Sequence, residues 1–175
     1  MDEVGFARFS AREVAKRIGY SVGTIYNVYG SLDHLFVAIN TRTFDLWADS
    51  VEKALARSPQ DVVATLVGAY FDFAHQNRNL WNAIYDHHLP SGMDLEETDQ
   101  IARARLTGSV AAVVSSALPE ERRSQAVSLT RSLVATVHGH CALELSGSYA
   151  LMGSDDARGD ALSRVRETLS HGRNA

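Results

Sequence analysis

FSAREVAKRIGYSVGTIYNVYGSLDHLF, residues Phe9 to Phe36, carries three serine helix starts and two glycine stops in quick succession. Ser10 and Glu13 form an S-x-x-E capping box ahead of Val14, Ala15 and Ile18, and Gly19 stands where a left-handed C′ residue would end the helix. That predicts a first helix of only about two turns. Ser21 predicts the start of a second short helix, Val22 to Val28, stopped before Gly30. Ser31 then opens a long one, with Leu32, Leu35, Phe36, Ile39, Leu46, Trp47, Val51 and Leu55 at helical spacing, running towards Arg57 before Ser58-Pro59 ends it. Two short helices around a glycine turn give the helix-turn-helix layout. Val14, Ala15, Ile18, Ile25 and Tyr29 are expected to pack, which leaves the other side of the second helix free.

That free side suits the edges and phosphates of a DNA groove. Val22 and Gly23 are small enough for close approach, and the helix N-terminus favours phosphate. Thr24 can donate to a phosphate or touch a thymine methyl, and Asn27 can read an adenine edge with paired hydrogen bonds. Tyr26 can set its hydroxyl on a phosphate while its ring packs at the groove wall. Ser21 joins this set through the capped turn. Arg12 and Lys16, four residues apart, can flank it as phosphate contacts. The net charge of the chain is −4, yet Arg8 to Phe44 holds five basic side chains against Glu13 and Asp33. A basic patch on an acidic body fits a protein that meets nucleic acid with one end.

The same stretch resembles the DNA-binding signature of the TetR family of bacterial transcription regulators. The resemblance rests on Ser10, Glu13, Val14 and Ala15 of the first helix, the turn Gly19, the core Gly23-Thr24-Ile25-Tyr26, and then Tyr29, Ser31 and Leu35. It covers about Phe6 to Leu46. Two departures stand out: Leu32 occupies the place where family members usually carry a phosphate-contacting lysine, and little of the family's first helix precedes Arg8. The resemblance implies a DNA-binding domain over residues 1–46 with an incomplete first helix. Residues 47–175 would form a helical ligand-binding and dimerisation domain. It further implies a double-stranded DNA operator, a homodimer, and usually repression relieved by a small molecule.

The rest of the chain is helical in pattern, so the expected fold class is all-α. Val62, Leu66, Tyr70 and Phe73 mark a fourth helix, and Leu80, Trp81, Ile84 and Tyr85 a short fifth. A helix over about Leu95 to Leu118 follows the loop Leu89-Pro90-Ser91-Gly92. Another should run from Pro119 to about Gly147, then a Gly/Ser/Asp linker, then a final helix over about Asp155 to His171. Candidate pocket residues are Tyr70, Phe73, Trp81, Tyr85, His88 and Met93, with His138 and Cys141 on a facing helix. This mostly apolar set with a few polar handles suits a small apolar or aromatic effector. Gly139 would permit close helix approach. The last two long helices fit an intersubunit four-helix bundle.

Other chemistries find little support. His87 and His88 are adjacent, and His138 and His140 are two apart, so neither pair makes the i, i+4 arrangement of helical zinc sites. His138 and Cys141 could face each other as base and nucleophile, but no orienting acid or oxyanion site lies near them. No metal, cofactor or enzymatic activity is expected. With one cysteine, no signal peptide and no apolar run approaching a membrane span, the chain is expected in the cytoplasm without membrane contact. The alternative left open by the sequence is a helical small-molecule-binding or protein-interaction dimer without a DNA role.

Overall fold

The computed structural model describes residues 1–170. Among them the fold is all-α: α1 Ala11–Ile18, α2 Val22–Tyr29, α3 Leu32–Arg57, α4 Val62–Gln76, α5 Arg78–Asp86, α6 Glu97–Ala117, α7 Ala126–Leu145, α8 Ser148–Leu151 and α9 Ala157–Ser170. The chain divides into two compact units. The first gathers Met1–Trp47 with Asn77–Arg105, and the second Ala48–Gln76 with the chain from Leu106 onward.

In the first unit the sequence signals act as local physics requires. Ser10 Oγ accepts from the Glu13 backbone N–H at 3.2 Å. At the other end of α1, Gly19 adopts φ 75° and ψ 24°. Its N–H reaches the Lys16 carbonyl, and the Tyr20 N–H reaches that of Ala15 at 2.9 Å. These paired bonds are a Schellman stop, which satisfies carbonyls the helix would otherwise leave open. Ala11, Ala15, Ile25 and Leu35 form a small buried core, flanked by Phe9, Val14, Leu32 and Ile39.

The second unit packs α7 against α9, with α4 alongside both. Buried Val67, Phe71 and Ala74 of α4, Leu133, Val137 and Cys141 of α7, and Ala157, Ala161, Val165 and Leu169 of α9 supply its interior. The α9 set recurs every four residues, the stripe of a helix with one buried face. Arg158 pairs with Asp72 and lies over the Phe71 ring at 5.5 Å. Arg122 Nη1 donates to the carbonyls of Thr168 and Leu169, each at 3.3 Å, closing the end of α9.

Several expectations need correction. The segment after Pro119 begins as a 3-10 turn, Glu120–Gln125, and becomes α-helical only at Ala126. Its residues are all polar, so no apolar side chain anchors an α-helical first turn there. The expected linker after Gly147 contains the short α8. The last helix starts at Ala157, where Asp156 Oδ1 accepts from the Gly159 N–H at 2.9 Å; His171 lies outside the described residues. Ile18, expected to pack, is 53% exposed because it is the last residue of α1 and the chain turns away at Gly19. Tyr29 is likewise exposed: it ends α2, beyond the core that Ile25 enters.

Two predictions follow from this arrangement. A Cβ on Gly19 would meet nothing within 4 Å, so Gly19→Ala should cost only the left-handed backbone term, about 1–2 kcal/mol in chemical denaturation. A loss near zero would mean the turn relaxes freely. In the second unit, burial lowers the pKa of His138 below its ordinary 6.5. The unfolded chain then takes up this proton first, so the stability His138 contributes is whole above about pH 6.5 and lost as pH falls through that value towards the folded pKa. His138→Gln should flatten that part of a stability–pH profile; an unchanged slope would contradict it.

Candidate nucleic-acid interface

The face α2 offers is set by what its other face must do. Ile25 is buried in the small core with Ala11, Ala15 and Leu35, so residues about half a turn away point outwards. Val22, Gly23, Tyr26 and Asn27 are all exposed, and so is Val28. They form adjacent rows along the helix, 22 with 26 and 23 with 27, as i, i+4 neighbours do. Ser21 Oγ accepts from the Thr24 backbone N–H at 3.2 Å and fixes the first turn. Thr24 is only half-buried, and its hydroxyl lies 3.0 Å from Ser21 Oγ. The two hydroxyls thus form a capping pair, so the Thr24 hydroxyl is shared with the cap.

Gly23 is informative because nothing inside the fold demands it. An alanine methyl there would meet only Ser21 Oγ, at an ordinary 3.5 Å. Arg12 and Lys16 are exposed on α1, and neither makes an ion pair among the described residues. Arg17 differs: its guanidinium pairs with Glu3 at 2.8 Å. Leu32 is half-buried against the small core. A side chain that could have carried charge towards phosphate is spent on packing.

Support from outside the three helices comes from aromatic residues that sequence reasoning did not connect. Phe36 lies between Phe9, at 5.2 Å between ring centres, and Phe6, at 4.7 Å. The His87 imidazole, just past α5, lies against Phe36 with ring centres 4.9 Å apart and planes tilted by 34°. The apolar phenylalanines at positions 6, 9 and 36 were visible in the sequence. The contact of Phe6 and Phe36 with the distant His87 was not.

The candidate effector residues fall in both units. In the first, Trp81 is buried and its ring meets that of Tyr85 at 5.1 Å, while His88 is exposed and Met93 half-buried. In the second, Tyr70 Oη and His138 Nδ1 are 3.1 Å apart, and Phe73 and Cys141 are buried. Burial, helped by Glu144, pushes the Cys141 thiol up to about 12, which leaves little thiolate for nucleophilic chemistry. Among the described residues no group of three or more His, Cys, Asp or Glu side chains is placed to hold a metal ion. Nor is any helix there long and apolar enough to cross a membrane.

Comparison with known proteins agrees with this geometry. Residues 1–39 match the family described as bacterial regulatory proteins, tetR family. Residues 63–165, more than half of the chain, match the tetracyclin repressor-like C-terminal domain. An uncharacterized HTH-type transcriptional regulator of Mycobacterium tuberculosis is 25% identical over 166 residues, which cover 94% of this chain and 74% of that protein. A solved structure from Rhodococcus sp. RHA1, of unknown function, superposes with a TM-score of 0.74 at 20% identity, covering 97% of this chain and 89% of its own. A second, described as a regulatory protein, gives a TM-score of 0.70 at 22% identity over 89% and 84% of the two chains. With a capped helix-turn-helix in front and the repressor-like helical domain behind it, this chain belongs to the TetR family of DNA-binding transcriptional regulators.

Proposed function

We propose that this regulator is a repressor that binds a palindromic operator as a homodimer and leaves it when a small apolar or aromatic molecule occupies its helical body. Residues 1–46 would read DNA, and residues 47–175 would bind the effector and the second subunit. The observation that carries the DNA part is the exposed Gly23 in a helix whose fold would accept alanine. A helix that gains nothing internally from glycine gains close approach from it at a groove. Val22 and Tyr26 would line the groove wall and Asn27 would read a base edge. Arg12 and Lys16 would neutralise phosphates on either side.

The homodimer is supported by the outer face of α7. Leu143 is exposed, and Gly139, one turn before it on the same side of α7, has nothing among the described residues within 4 Å of the place where a Cβ would stand. Its smallness therefore serves no contact among the described residues and suits the close approach of a partner helix. Effector release would follow from differential affinity: a ligand that prefers a head spacing other than that of successive major grooves, about 34–36 Å, shifts the population away from DNA. Candidate ligand contacts in the second unit are Tyr70 and His138 with Phe73 and Cys141; those in the first, considered by themselves, are Trp81, Tyr85, His88 and Met93.

Three outcomes are expected. Gly23→Ala should fold as well as the parent, gaining up to about 1 kcal/mol of stability, yet bind DNA from around its own gene more weakly in a mobility-shift assay. Unchanged affinity would remove the main support for α2 as the reading helix. Asn27→Ala should cost about 1–3 kcal/mol and relax preference at one base pair, whereas Lys16→Ala should weaken binding to all sequences and reduce the salt slope by about 1. A planar aromatic compound present at about 100 times its Kd should stabilise the protein by about 2.7 kcal/mol and release bound DNA. Stabilisation with unaltered DNA affinity would sink the effector model.

A further inference from the structure

The helix-turn-helix has little interior of its own. Its buried core is two alanines, one isoleucine and one leucine, so the three helices draw on contacts beyond it to keep their arrangement. Those contacts converge on His87. Its side chain is 5% exposed, and Nε2 lies 3.2 Å from Asp33 Oδ1 in the first turn of α3. A carboxylate only accepts, so the imidazole Nε2 carries the proton and donates. The same ring lies tilted against Phe36, 4.9 Å between centres, and stands 6.2 Å from Phe6. Backbone geometry fixes the histidine in turn: it ends α5, and its N–H bonds to the Ala83 carbonyl at 3.2 Å.

Asp33 and Phe36 occupy a short stretch that includes Leu35, which closes the core under Ile25. Only Gly30 and Ser31 separate α2 from α3. The Ser31 cap accepts from the His34 N–H at 3.1 Å, so the junction is built as one turn rather than a loose linker. A hold on the first turn of α3 is therefore a hold on the end of α2.

We infer that His87 is a positioning residue for DNA recognition: through its bond to Asp33 and its ring contact with Phe36, it fixes the first turn of α3 and with it the reading helix. It touches no DNA in this scheme. The inference rests on the DNA-reading role of α2, but its structural half can be tested without DNA.

The test uses the full chain and three substitutions. His87→Gln places an amide N–H where Nε2 was and keeps the bond to Asp33. His87→Phe keeps a ring on Phe36 and loses the bond, and His87→Ala loses both. At a temperature where circular dichroism shows every variant folded, hydrogen exchange of residues 11–31 should quicken in His87→Phe and further in His87→Ala, at least tenfold. His87→Gln, which keeps the bond and loses the ring, should quicken less than His87→Ala, and α7 and α9 should not change in any variant. Affinity for the DNA around the protein's own gene should fall in the same order. Equal exchange in residues 11–31 for all four proteins, or quickening spread evenly over α7 and α9, would overturn the inference. If the parent itself shows no sequence-specific retardation, the DNA-regulator reading falls, while the exchange measurement still decides whether His87 positions α2.

Discussion

The close seating of Ala15 against Ile25 and Leu35 is the contact on which the rest of the head depends. Ala15 is 2% exposed, and its small side chain lets α1 lie near α2 and α3 with one methyl in the seam. Interiors are packed densely enough that a larger side chain there would have to push the helices apart. Once that seam is fixed, Ile25 must face inwards and Val22, Gly23, Tyr26 and Asn27 must face out. The composition of the outward face is then free to serve a partner. It is small, aromatic and amide-bearing rather than charged, which suits base edges more than bulk phosphate attraction.

Charge is arranged to match. The exposed cations Arg12 and Lys16 sit on α1, the helix packed against α2, whereas Leu32 packs against the small core. In the proposed complex, fewer cationic contacts would leave a larger share of the binding free energy to base contacts and fit, with a correspondingly shallow salt dependence. A core this small also makes the surrounding aromatics part of the device. Phe6, Phe9, Phe36 and His87 add buried ring contact where the alanines of α1 cannot.

Local chemistry made much of this legible in the sequence. Ser10, Gly19, Ser21 and Ser31 each announce a helix end by a side-chain cap or a left-handed glycine, and each does so within three residues of its partner. The misreadings have the same origin. Helical spacing placed Ile18 and Tyr29 on packed faces, but both are terminal residues, and periodicity does not record where the neighbouring helix stops. The polar Glu120–Gln125 turn and the short α8 lack the apolar rhythm that marks a helix. The His87–Asp33 bond joins positions 54 apart, which no local pattern can predict. Gly139 is expected from the sequence to permit a close helix approach, and among the described residues nothing stands within 4 Å of a Cβ placed there.

Base-by-base protection of DNA tests the central claim, that α2 enters the major groove from each subunit of a dimer, most directly. Dimethyl sulfate methylates guanine N7 in the major groove and adenine N3 in the minor groove, so one footprint on the DNA around the protein's own gene reports both. The account predicts two clusters of protected guanines about 10–10.5 base pairs apart, centre to centre, or a multiple of that. Protection confined to adenines, or a single cluster without a symmetric mate, would contradict it.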